Sequence, residues 1–102
     1  MNTSASIDIT VRFGDPLRKA VGARRVTLSL PGRATLADLL AQLAQTYPGF
    51  EAAFRGDDLS RDHPYILFVN GRPVTRANYD QVHLADGDLV HIVMPVVGGG
   101  YA

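Results

Sequence analysis

The sequence predicts an α+β domain in which a mixed sheet of four to five strands packs on one main helix. Three observations predict it. Residues 7–13 and 26–30 alternate apolar and polar side chains with the two-residue period of half-buried strands. Residues 35–47 carry one leucine stripe at helical spacing. Two further β-forming runs, 65–69 and 89–94, are bounded by the turn signals Asn70-Gly71 and Asp86-Gly87-Asp88.

The first strand has Ile7, Ile9, Val11 and Phe13 on one face and Asp8, Thr10 and Arg12 on the other. Gly14, Asp15 and Pro16 break it. Residues 17–25 are too long for a tight turn, and 17–21 suit one helical turn ended by Gly22. Val26, Leu28 and Leu30 then repeat the alternation, and Pro31-Gly32 ends it.

In the main helix Leu36, Leu39, Leu40, Leu43 and Tyr47 form the stripe. Thr35 suits the N-cap, and Asp38, three positions on, can answer it from the positive helix end. Ala37, Gln42, Ala44 and Gln45 are small or polar, so the helix covers something on one side only. Pro48-Gly49 reads as its stop, and residues 49–59 read as irregular, pinned by Phe50 and Phe54. The run 65–69 turns at Asn70-Gly71 into a brief return strand at Val74. Residues 77–84 form a second irregular crossing before the last strand. The expected core is Ile7, Ile9, Val11, Val26, Leu28, Leu36, Leu40, Leu43, Ile66, Phe68, Val90 and Ile92. The strands flanking the helix are either parallel neighbours or placed in separate parts of the sheet.

At 102 residues the chain suits one domain, large enough to bury a real core. Residues 1–94 are assigned to it and residues 95–102 to a flexible C-terminal tail. Ten basic residues balance ten acidic ones, which argues against a dedicated nucleic-acid or anionic-membrane binder. No run is long enough to span a bilayer and no secretory segment opens the chain, so a cytoplasmic protein is expected. The absence of cysteine removes disulfides, iron–sulfur clusters, thiolate zinc sites and thiol catalysis.

Few side chains suggest chemistry. His63, His83 and His91 lack the spacing of a ligand set, and no metal site is expected. Asp57, Asp58 and Asp62, with Arg55 and Arg61 nearby, suit a solvated loop better than a calcium site. His91 alternates with Val90 and Ile92, so it faces away from the helix. With Val93 it suits a partner-facing surface or an ordinary exposed sheet face. Nine of the ten basic residues are arginine, and Lys19 is the single lysine. Arg24, Arg25 and Arg33 would suit an acidic partner, although scattered solubilising charge explains them as well.

The chain closes on Pro95-Val96-Val97-Gly98-Gly99-Gly100-Tyr101-Ala102. Pro95 ends ladder pairing, and the glycines release the backbone. Taken alone they suit a frayed terminus or a linker. Their setting resembles something more specific. Arg12-Phe13 opens the loop with Leu17-Arg18-Lys19-Ala20-Val21-Gly22. Leu30-Pro31-Gly32, Thr35-Leu36-Ala37-Asp38-Leu39-Leu40 and Tyr47-Pro48 follow, then Val69-Asn70-Gly71-Arg72, Asp86-Gly87-Asp88 and Pro95-Val96-Val97-Gly98-Gly99. In this order and spacing the chain resembles the MoaD/ThiS family of ubiquitin-like sulfur carriers. The long first connection and the proline in the tail favour the MoaD branch.

The resemblance implies a β-grasp fold and a protein co-substrate rather than an enzyme. It also implies a terminal glycine that a MoeB/ThiF-like adenylating enzyme activates with ATP and that is converted to a thiocarboxylate. The carrier itself binds no cofactor. A terminal carboxylate needs such activation, and glycine suits a narrow channel where the backbone approaches closely. Residues 96–99, if extended, reach roughly 13–14 Å. The open sheet face with His91, Val93, Pro95, Val96 and Val97 would dock on the adenylating enzyme and on a sulfur-accepting enzyme such as a molybdopterin synthase large subunit. The family's active form ends at Gly-Gly, whereas here Gly100, Tyr101 and Ala102 follow Gly99. Trimming by a JAMM-type metalloprotease is therefore expected, leaving Gly99, or alternatively Gly100, terminal after Gly98. Molybdenum-cofactor biosynthesis, sulfur supply to another pathway, conjugation to target lysines and a plain interaction module remain open.

Overall fold

The computed structural model describes residues 6–15, 17–55 and 65–94. Pro95, Val96, Val97, Gly98, Gly99, Gly100, Tyr101 and Ala102 lie outside the described residues, as do His63 and the carboxylates of Asp57, Asp58 and Asp62.

Five strands form one mixed sheet: β1 (Ser6–Phe13), β2 (Arg25–Pro31), β3 (Ile66–Val69), β4 (Arg72–Val74) and β5 (Leu89–Val93), in the order β2-β1-β5-β3-β4. β1 and β5 pair in parallel at the centre, and every other pairing is antiparallel. The strands flanking the main helix, β2 and β3, thus occupy separate parts of the sheet. Of the two arrangements open to the sequence, the second is the one adopted.

Three helices connect the strands: α1 (Leu17–Val21), α2 (Leu36–Thr46) and α3 (Pro48–Arg55). α1 is the short turn expected from the sequence, closed by Gly22 at φ 87° with its N–H on the Arg18 carbonyl at 2.9 Å. α2 opens with a capping box. Asp38 N–H donates to Thr35 Oγ1 at 3.2 Å, and Thr35 N–H donates to Asp38 Oδ2 at 2.9 Å. Its next two free donors are taken from outside the helix. Leu36 N–H reaches the Val82 carbonyl at 2.9 Å, and Ala37 N–H reaches that of Tyr79 at 3.1 Å. The second crossing is thereby tied to α2, and it contains a 3-10 turn at Arg76–Asn78.

Two expectations are corrected. Residues 48–55 are helical rather than irregular. Pro48 ends α2 but suits the first position of a new helix, where its missing N–H and fixed φ cost nothing. Phe50, Ala53 and Phe54 then fall at i, i+3 and i+4. Phe50 stacks on Phe54 at 5.0 Å and Phe54 on Tyr65 at 5.4 Å, which ties α3 to the start of β3.

The second correction concerns the core. Ile7, Ile9, Val11, Leu36, Leu43, Val90 and Ile92 are buried as expected. Ile66 and Phe68 are not: Leu67 is fully buried, Ile66 is 37% exposed and Phe68 is half-buried. A continuous apolar strand carries no alternation, so its own sequence cannot set its phase. Pairing sets it, because Leu67 lies opposite Ile92 and Phe68 opposite His91. Leu39 replaces Leu40 at the centre of α2's buried stripe. Val26 and Leu28 face the core side but are only half-covered, since β2 is an edge strand.

Candidate functional site

β5 is the third of five strands, held by β1 on one side and β3 on the other. Ile92 lies beside Phe13, and Val93 opposite Ile66. Just beyond β1, Gly14 N–H donates to the Ile92 carbonyl at 2.9 Å. The chain therefore leaves the sheet at Met94 from a strand that is paired on both sides. The residues that follow are anchored at a rigid point, so a partner that grips the domain also fixes where those residues begin.

The sheet has one face under the helices and one open. His91 and Val93, singled out in the sequence, both stand on the open face and are half-buried there. They are joined by Ile66, Phe68 and Leu89, and Met94 at the strand end is 41% exposed. This apolar half spans β5 and β3. The half over β1 and β2 is polar: Asp8, Thr10 and Arg12 stand beside Ser29, Thr27 and Arg25. Ser29 Oγ donates to Asp8 Oδ1 at 2.8 Å.

His91 sits on the boundary between the halves, with Arg12 beside it in the β1–β5 register and Phe68 beside it on β3. Its pKa lies below the usual imidazole value, first because burial disfavours the charged ring, then because the Arg12 guanidinium repels a second cation. A neutral ring among apolar side chains suits a contact surface. Ile66 and Phe68 are members that sequence reasoning placed in the core. No signal in the run itself could have found them, because residues 66–69 are all apolar and their phase is set by pairing with β5.

Other candidates do not converge. His83 forms a single bridge opposite Thr35 at the start of α2 and lies outside β5, the strand that carries His91. No group of three potential metal-ligating side chains occurs among the described residues. A groove of about 660 Å³ runs on the helix side between Leu40, Ala44, Phe50, Phe54 and Tyr79. Its polar groups are the Tyr79 hydroxyl, the Glu51 carboxylate, the Gln45 amide and the Arg76 guanidinium, and its lining includes no histidine. The described residues offer an open sheet face and a last strand paired on both sides.

The model of the ThiS family matches residues 11–99. The chain belongs to the ThiS family. The match ends on Gly99, the second of the three glycines. Small archaeal modifier protein 3 of Haloferax volcanii is 30% identical over 93 residues, covering 91% of this chain and all of that protein. The crystal structure of SAMP1 from the same organism is 26% identical with a TM-score of 0.74, covering 90% of this chain and 99% of that one. A candidate molybdopterin converting factor subunit 1 from Pyrococcus furiosus is 27% identical with a TM-score of 0.73, covering 89% of this chain and 100% of that one. The five-stranded mixed sheet with its helices is the ubiquitin-like β-grasp fold shared with these neighbours. The ThiS-family domain described here has no helix long and apolar enough to cross a membrane among its described residues.

Proposed function

We propose that this ThiS-family chain is a sulfur carrier whose reactive group is the backbone carboxylate of Gly99. The observation that carries the reading is the family match ending on Gly99, in a chain whose last strand is the braced centre of the sheet. Gly100, Tyr101 and Ala102 follow that position, so activation there requires their removal, for which a JAMM-type metalloprotease has the right hydrolytic chemistry. A ThiF-like enzyme then joins the freed carboxylate to the α-phosphate of ATP and releases pyrophosphate. A sulfur nucleophile displaces AMP, and the thiocarboxylate passes its sulfur to an acceptor enzyme. The carrier supplies no acid, base or metal to these steps.

The open face with His91, Val93, Ile66 and Phe68 is the docking surface in this reading. It would serve the adenylating enzyme and the sulfur acceptor in turn, with Pro95, Val96 and Val97 continuing into the partner. The likeness to a molybdopterin converting factor subunit 1 favours a synthase large subunit as acceptor. The names of the modifier relatives favour a second reading, in which the same activated glycine forms isopeptide bonds with target lysines.

Intact mass of the protein recovered from its own cells tests both. Loss of Gly100-Tyr101-Ala102 with exchange of one oxygen for sulfur supports the carrier. A ladder of heavier adducts that dissolves on isopeptide cleavage supports the modifier. A full-length chain ending at Ala102 in cells where the protein is functional refutes both.

A further inference from the structure

Although the chain is neutral overall, its charge is not evenly placed on the open face. Arg12 and Arg25 are directly paired across β1 and β2 on that face, with β-carbons about 4.5–5.5 Å apart. Like charges so placed repel. Among the described residues, no carboxylate lies within ion-pair distance of Arg12, Arg24 or Arg25. Arg12, Arg18, Arg24 and His91 surround a shallow notch of about 350 Å³. Its one carboxylate, Asp15, is already engaged by Arg18 at 2.9 Å.

The notch lies at the root of the tail. Gly14 forms part of it and is the residue bonded to the Ile92 carbonyl. Four residues back along β1, roughly 13 Å away, the charges are mixed. Asp8, Asp86 and Asp88 are linked there through the Asp86–Asp8 and Asp88–Thr10 backbone contacts. Arg33, which the sequence groups with Arg24 and Arg25, follows Pro31 at that far end and is no part of the cluster.

We propose that Arg12, Arg24 and Arg25 form an electrostatic docking surface for a cluster of Asp and Glu side chains at the mouth of the partner site that receives the tail. This rests on the tail being activated by a partner enzyme, as argued above. Any protein that threads the tail must bring the rim of its channel against the end of β5, where Ile66 and Val93 lie toward β3 and the arginine cluster lies toward β1. An acidic rim relieves the Arg12–Arg25 repulsion and finds apolar contact beside it at His91 and Phe68. An extended polyanion such as nucleic acid fits less well, because it would run on to Asp8, Asp86 and Asp88. Attraction of this kind acts on the rate of encounter more than on the chemical step.

The test uses the chain trimmed to Gly99 and the ThiF-type adenylating enzyme encoded in the same genome. Arg12→Glu/Arg24→Glu should slow association by about tenfold or more at low salt and abolish the wild type's decline with ionic strength. The kcat for pyrophosphate release at saturating carrier should stay unchanged. Arg33→Glu should behave as wild type. Thermal unfolding is measured on each variant, and Arg12→Gln/Arg24→Gln gives a milder pair in which the salt slope is halved or less. Equal association rates and salt slopes for wild type and variants overturn the proposal while leaving the carrier reading intact. Retention of the wild type by single-stranded DNA but not by the enzyme at physiological salt also overturns it. Failure of the enzyme to activate the wild type at all overturns both.

Discussion

Gly49 is the second residue of α3, and a methyl group there meets two opposing effects whose sum the structure decides. Replacing a helical glycine by alanine ordinarily stabilises by about 0.5–1 kcal/mol, because the unfolded chain loses freedom. In this protein the added Cβ would lie 2.7 Å from the Ala20 carbonyl oxygen, 3.5 Å from its carbonyl carbon and 3.8 Å from its Cβ. The nearest atom is backbone in α1, so it cannot swing aside as a flexible side chain would. The two helices must separate, and overpacking of this kind costs about 1–3 kcal/mol. Gly49→Ala is therefore expected to destabilise by about 1–2 kcal/mol net. In a domain of this size that lowers Tm by about 5–10 °C. Reversible thermal unfolding followed by far-UV circular dichroism measures it. Near-UV dichroism should report the loosening of the Phe13, Phe50, Phe54 and Tyr65 ring contacts. A Gly49→Ala protein as stable as wild type, or more so, would show that α3 does not rest on α1 in this way.

Three further outcomes follow from the corrected core and face. Leu39→Ala should cost about 2–5 kcal/mol in chemical denaturation, whereas Leu40→Ala, at the rim of the helix-side groove, should cost clearly less; equal losses would contradict the burial of α2. Phe68→Asp should change stability by no more than about 1 kcal/mol, since the side chain stands on the open face. It should nevertheless lower activation of the trimmed carrier severalfold, and an unchanged rate would remove this face from the docking surface. His91 has a folded pKa below its unfolded value of 6.5, so the unfolded state takes up the proton first as pH falls. Its contribution is complete above that value and is lost as pH drops from there toward the folded pKa. Arg12→Gln removes one of the two causes, and NMR titration should find the His91 pKa raised toward 6.5 and the acid loss reduced. No movement would mean that burial alone sets it.

Much of this could be read from residues in line. Strict alternation in 7–13 gave β1 its buried face, because a half-buried strand can hide only every second side chain. Thr35 and Asp38 announced the start of α2 by chemistry that works over four residues. Gly22 and Asn70-Gly71 marked turns through local backbone preference, and the structure bears out each with a positive φ. The role proposed for Gly98-Gly99, which lie outside the described residues, was drawn from the sequence because it depends on backbone access rather than on any fold.

What the line of residues could not carry was set by neighbours distant in the chain. Pro48 has two local meanings, end and beginning, and only the stacking of Phe54 on Tyr65, eleven residues on, shows why the second also holds. The phase of Ile66, Leu67 and Phe68 came from pairing with β5, so it was absent from a run in which every residue is apolar. Charge arithmetic gave a neutral protein. The register that places Arg25 beside Arg12, and Arg12 beside His91, turned scattered cations into a cluster at the root of the tail. Local preferences are settled within a few residues, whereas strand phase and charge clustering depend on which strands meet, and only the assembled sheet decides that.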